Sequence, residues 1–414
     1  MPRRLPQLEF TILLAMLFAT VAFSIDAMLP GLPQIAADLS PDDVNRAQLV
    51  LTAFVFGMGG GTLISGPISD HFGRKPVILF GLGLYTVGAV IAGLSHSMEM
   101  MLIGRAIQGV GGAFPRTVGI AMVRDLYEGR EMAKITSFVM TIFMVVPAAA
   151  PSIGAMIIAD FGWHGIFAAF VLVAVIGATW MSLRQGETLD PENRRHLNLT
   201  DLKSGTKEVF GNYNVRIYTV ILMLGFGQMF SILSSVQQIY SDTYGLEEVF
   251  PYFFGATALI SAVGAIMNGR MVGEKGMHFM IRMGYGISLT ASVVALTLNL
   301  FGLGSGTFGF VVFFLWTVAM FSINAFTFGN LNALALVPLG RLAGLANSLI
   351  GAVFTMGSVL IAAPVGLAFN GTPIPVMAAG MICSALALIL FRFEDSATAP
   401  HGAPKADAPA KPAE

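Results

Sequence analysis

Twelve apolar runs, each about 20 residues or longer, recur along this 414-residue chain, and runs of that length are what a helix needs to cross a bilayer. They fall at about 8–29, 46–69, 76–95, 99–122, 132–158, 164–183, 214–240, 249–270, 278–301, 305–332, 342–368 and 373–393. Composition agrees. With 55% hydrophobic and only 11% charged residues, the chain has too few charges to cover a soluble globule of its size. The first run has a basic start like a signal peptide, but it is long for one and further runs follow at once, so it reads as the first span. The fold class expected is an all-α membrane protein of 12 transmembrane helices.

The longest polar interior stretch, residues 184–213, parts the twelve runs into two sixes. The expected organisation is an N-terminal six-helix bundle (1–183), a central loop with a short surface helix (184–213), a C-terminal six-helix bundle (214–394) and a disordered Ala- and Pro-rich tail (395–414). Of the 23 Lys and Arg, 20 lie at the termini, in even-numbered connections or just inside the adjoining helices; the exceptions are Arg46, Arg105 and Arg116. The positive-inside rule then puts both termini and the central loop in the cytoplasm.

Several functions are excluded early. A net charge of -1 gives no basic surface for nucleic acid, and the single Cys383, inside an apolar run, cannot form an intramolecular disulfide. No P-loop, metal-ligand spacing or nucleophile elbow occurs, so neither an enzyme nor an ATP-driven pump is indicated and no cofactor is expected. None of the six His lies deep in a run, which argues against a histidine proton relay.

The hairpin Gly66–Lys75, GPISDHFGRK, packs charge between two spans. Asp70 stands at the negative end of the second span and needs a partner. Arg74 and Lys75 lie on the same turn, and the positive end of the eleventh span begins near Arg341–Gly344. Gly66 and Gly73 are echoed by Gly269 and Gly276 at the same seven-residue spacing after the eighth span, as a tandem repeat of six-helix units would leave behind.

Ionisable groups within spans are costly and usually face a cavity. Here they are Asp26, Arg105 and Arg116. Asp26 and Arg105 sit at a similar shallow depth, roughly 6 to 9 Å from one membrane edge, and are expected to pair; the alternatives are that Asp26 faces interfacial water and that Arg105 is satisfied by neighbouring carbonyls. Arg116 lies eleven residues after Arg105, roughly 20° around the helix, so both arginines with Gly109 and Gly112 would form one cavity-lining stripe that favours anions or zwitterions. It could instead reach toward headgroups. Pro147, Pro151 and Gly154 invite a bend in the fifth span. The second half offers amides, Gln228, Gln237, Gln238, Asn324, Asn330, Asn332 and Asn347, and the aromatic groups Phe226, Phe230, Trp316 and Phe328, as polar and stacking contacts for a cargo.

GPISDHFGRK resembles the loop motif of the major facilitator superfamily, matching it at every motif position. RAIQGVGGA, at 105–113 and containing Gln108, resembles the fourth-helix motif of drug and proton antiporters; PAAAPSIGA, at 147–155, resembles their fifth-helix motif with fewer glycines. SIDAMLPGLPQIAADL and RDLYEGREMAK look most like the Bcr/CflA branch of bacterial multidrug exporters. The resemblance implies two pseudo-symmetric six-helix bundles that rock between outward-open and inward-open forms. The loop motif would latch the halves in one state, with Asp125 holding Arg74, and the fifth-helix motif would seal the cavity. It further implies a proton-coupled exporter of small organic compounds in the bacterial inner membrane, with Asp26 and Arg105 exchanging a proton for cargo. Its partners would be protons, a small-molecule substrate and the lipid bilayer, with no nucleic acid, and the chain would act as a monomer. A proton-coupled importer or uniporter of a small polar or anionic solute, and a non-transporting membrane sensor, remain open on the sequence.

Overall fold

The computed structural model describes residues 5–194 and 199–394, and every regular element among them is helical. In chain order these are α1 (Gln7–Asp26), α2 (Leu32–Leu39), α3 (Leu49–Phe72), α4 (Arg74–Gly93), α5 (Met98–Leu126), α6 (Gly129–Arg184), α7 (Leu199–Gly211), α8 (Tyr213–Gln238), α9 (Phe250–Lys275), α10 (Met277–Leu298), α11 (Gly306–Leu336), α12 (Ala343–Leu367) and α13 (Ile374–Leu390), joined by single helical turns.

The 56-residue α6 is two spans. Gly162, at φ 64° and ψ -177°, takes a conformation open only to glycine and breaks the helix into arms 129–161 and 163–184. Helical dihedrals continue through Pro147 and Pro151, so the break between the two spans lies at Gly162, eleven residues past the proline pair. Among the described residues nine helices are long and apolar enough to cross a membrane. Counting the arms of α6 separately and adding α5 and the 17-residue α13 gives the twelve spans. The surface helix expected in the central stretch is α7; the tail at 395–414 lies outside the described residues.

The glycine echo has a backbone counterpart. Gly73 (φ 102°, ψ 162°) caps α4 and Gly276 (φ 79°, ψ 159°) caps α10, so each half carries the same hairpin made by a glycine in the left-handed region. The halves, α1–α6 and α8–α13, meet along two main seams: α3 packs on α12, and the first arm of α6 packs on α9. Within the first half α5 runs between α3 and α4. Contact there is backbone to backbone, since a Cβ on Gly109 would stand 2.0 Å from the Phe54 carbonyl. Close approach of this kind is how helices gain packing where lipid offers no hydrophobic drive between them.

Candidate functional site

Three ionisable side chains lie within the spans of the first half, and the structure gives each a different setting. Arg105 is fully enclosed. Its Nε donates to the Val50 carbonyl of α3 at 3.2 Å, one Nη to Gln108 Oε1 at 2.7 Å and the other to the Ser24 carbonyl of α1 at 3.1 Å, while the guanidinium lies over the Phe54 ring at 4.4 Å. The Ser24 hydroxyl bonds the Tyr85 hydroxyl of α4. One buried node therefore ties α1, α3, α4 and α5. Ser24 and Tyr85 escaped the sequence reading; the available signal was a lone Tyr in an apolar run and a Ser two residues before Asp26.

Asp26, the last residue of α1, is 5% exposed and has neither a hydrogen bond nor an ion pair among the described residues. The pairing of Asp26 with Arg105 expected from their depths is not made. Arg105 takes the carbonyl of Ser24, and two residues further along the helix is roughly 200° of rotation, which carries the Asp26 side chain away. The residue that follows Asp26, Ala27, lies against the first arm of α6. A Cβ on Gly154 would stand 1.9 Å from the Ala27 carbonyl, so Gly154 lets α6 close directly on the end of α1.

The single stripe of two arginines and two glycines is also corrected. Gly109 packs on α3, Gly112 touches Phe54, Tyr85 and Val21, and Arg105 is enclosed, so these three fasten helices and line no cavity. Only Arg116 differs. It is half-buried, with one Nη 3.8 Å from the Met58 sulfur of α3 and the guanidinium 5.8 Å from the Phe143 ring of α6. Side chains on a helix lean toward its N-terminus, so Arg116 points back into the bundle and away from the headgroups beyond the end of α5.

The charged hairpin is a closed cluster within the first half. Arg74 Nε donates to Asp125 Oδ2 at 3.0 Å, and Nη1 to Ser69 Oγ at 2.8 Å and Asp70 Oδ1 at 2.5 Å. Glu187 of the central loop completes it. Its carboxylate accepts from the backbone N–H of Arg74 at 2.9 Å and of Lys75 at 3.1 Å, capping the positive end of α4, while Thr188 Oγ1 donates to Asp125 Oδ2 at 3.1 Å. Lys75 Nζ donates to the Ser182 carbonyl at 2.8 Å. The ion pairs of Arg74 with Asp70 and Asp125 both lie within the first half, so these three residues hold the hairpin to its own half and, among the described residues, form no ionic latch across the seam. At the seam the hairpin presents Gly66, where a Cβ would meet Ser348 Oγ of α12 at 3.2 Å. Glu187 was missed because it is more than a hundred residues from the motif, in a stretch read as solvated.

At the opposite end the halves are joined by amides. Gln48 Nε2 donates to Gln238 Oε1 at 2.5 Å, Ser235 Oγ donates to Gln48 Oε1 at 2.8 Å, and Gln238 Nε2 donates to Asn45 Oδ1 at 3.0 Å. Asn45 Nδ2 donates to the Leu367 and Phe369 carbonyls, at 3.2 and 2.9 Å, at the end of α12. Gln238, expected as a cargo contact, thus serves this clasp; neighbouring Gln237 is buried with its Oε1 unpartnered. Gln228 is corrected too. It accepts from Ser384, which bonds Ser288, and so fastens α8, α13 and α10 inside the second half. Trp316 likewise donates to Ser292 of α10. Asn324 spends its Nδ2 on the Met320 carbonyl one turn back and remains half-buried, Asn330 bonds Asn268, and Asn332 bonds Asn347. Phe226, Phe230, Phe328 and Phe354 form an aromatic cluster across α8, α11 and α12.

The sequence model described as Major Facilitator Superfamily matches residues 12–362. The chain is 32% identical over 356 residues to a Bicyclomycin resistance protein homolog of Haemophilus influenzae, covering 85% of this chain and 87% of that protein. It is 28% identical to a Chloramphenicol resistance protein of Pseudomonas aeruginosa, over 86% of this chain and 82% of the relative. Among solved structures, the xylose transporter XylE from E. coli, in a partially occluded inward open conformation, superposes with a TM-score of 0.73 at 12% identity, over 94% of this chain and 97% of that one.

Proposed function

This chain belongs to the Major Facilitator Superfamily, and on that premise we propose that it exports small organic compounds across the bacterial inner membrane in exchange for protons, by alternating access. Asp26 is the observation that carries this reading. An ionised carboxylate buried to 5% exposure without a partner is far costlier than a protonated one, so Asp26 takes a proton before it is buried and gives it up where water reaches it. Gly154 permits the enclosure, because the α6 backbone closes on Ala27 beside it. Arg105 acts as a positioning residue: it holds the α1 backbone at Ser24 and so fixes where Asp26 looks. Both termini and the hairpin end face the cytoplasm, in keeping with the placement of Lys and Arg, and the amide end faces out. Export is the direction supported by relatives named for resistance to bicyclomycin and chloramphenicol.

Inside-out vesicles with an acid lumen test the reading. Wild-type protein is expected to concentrate chloramphenicol in the lumen and to dissipate the pH gradient as it does so. Asp26→Asn is expected to lower the coupled flux by about a hundredfold or more, since the only titrating group proposed in the pathway is gone. Solute leaving the vesicles under the same gradient would identify an importer, and full coupling in Asp26→Asn would remove Asp26 from the mechanism.

A further inference from the structure

Arg116 is the one ionisable group inside the spans that the proton step above leaves unused. Its place follows from its two neighbours. Met58 adjoins Gly59, where a Cβ would strike Met356 of α12, and Phe143 belongs to the arm of α6 whose Ala148 meets Gly255 of α9. Thus α3 and α6 are the two helices of the first half that make its main seams with the second, and the guanidinium lies between them. A sulfur at 3.8 Å and a ring face at 5.8 Å leave most of its five N–H donors unused; no carboxylate or carbonyl takes them among the described residues. Arg105 on the same helix shows the contrast, with an oxygen on each of its three nitrogens. A cation kept within a membrane without an anion is poised to receive one.

Depth separates it from Asp26. Eleven residues part Phe143 from Gly154, which abuts the residue after Asp26, so the two charges stand roughly 16 Å apart along α6. Cargo charge and coupling proton can then occupy different levels of one pathway.

We propose that Arg116 is a specificity-determining residue that grips the negative group of an anionic or zwitterionic aromatic cargo, with the Phe143 ring beside it as a stacking surface. This adds a charged substrate class to the transporter read above, beside neutral compounds such as chloramphenicol, and rests on that reading. Binding tests it apart from flux. Purified protein in detergent is titrated with naphthalene-2-sulfonate and with 2-naphthyltrimethylammonium, following thermal stabilisation, for wild type, Arg116→Lys and Arg116→Ala. The expected result is sulfonate binding by wild type, retained in part by Arg116→Lys and weakened about tenfold to hundredfold in Arg116→Ala, with the ammonium bound no worse by Arg116→Ala than by wild type. Arg116→Lys guards against misfolding, since it keeps the charge. Equal sulfonate affinity in wild type and Arg116→Ala overturns the proposal, as does wild-type binding of the ammonium alone or of neither probe. Sulfonate binding that follows this pattern without any proton-driven flux would instead refute the exporter reading and leave Arg116 as an anion site.

Discussion

The two ends of this bundle hold themselves together with opposite chemistry. At the hairpin end Arg74, Asp70, Asp125 and Glu187 form a charged cluster whose members all belong to the first half or the loop that follows it. At the amide end Asn45, Gln48, Ser235 and Gln238 are neutral and join one half to the other. The placement follows from what each contact must do. Ion pairs in partly dry surroundings are expensive to separate, because each partner must be rehydrated or left as an unpaired charge, so they suit a joint that stays closed. A net protein hydrogen bond contributes only about 1 kcal/mol against water, so a clasp of amides can open and rehydrate at modest cost. On the exporter reading proposed above, the hairpin would shape a rigid half and the amides that join the halves would gate the passage between them.

The largest effect is expected from Arg74→Ala. It takes the ion-pair partner from both Asp125 and Asp70, leaving Asp125 the Thr188 hydroxyl, and should cost on the order of 3 kcal/mol, read as a lower unfolding temperature and yield in detergent. The balance between inward-open and outward-open forms should barely move; a strong shift in that balance with stability intact would break the comparison and restore the hairpin as a latch between halves. A smaller effect of opposite kind is expected at the other end. Gln48→Ala removes the partners of Gln238 Oε1 and of the Ser235 hydroxyl, about 1 to 2 kcal/mol, and should open the clasp without lowering the unfolding temperature in proportion. Its readout is thiol labelling of Gln237→Cys in a Cys383→Ser background, expected to quicken by about fivefold or more, since Gln237 is buried beside the clasp and its Oε1 has no bond to lose.

The spans were legible in the sequence because hydrocarbon thickness imposes a length on every apolar run, and the repeat was legible because only glycine can make the turn at Gly73 and Gly276. Asp26, Arg105 and Arg116 could be picked out by cost alone. What each touches could not. Depth along a helix is a matter of counting, but Asp26 and Arg105 miss each other through rotation, which depends on how α1 packs against its neighbours. Gln228 and Gln238 show the same limit: an amide in a span signals a polar contact without saying whether the partner is a cargo, a serine in the same half or a glutamine across the seam. Glu187 was hidden by distance, since nothing local marks a loop carboxylate as the cap of a helix that began 113 residues earlier.

Spin labels report the difference between the ends most directly. In a Cys383→Ser background, one pair at Val44 and Thr372 brackets the amide end across the halves, and a second at Phe72 and Glu128 brackets the charged cluster within the first half. Distances from double electron–electron resonance in lipid nanodiscs, taken at acid and alkaline pH, should change for the Val44–Thr372 pair and stay single and fixed for Phe72–Glu128. A Phe72–Glu128 distance that shifts with pH while Val44–Thr372 holds still would contradict the assignment of a rigid charged end and a moving amide gate.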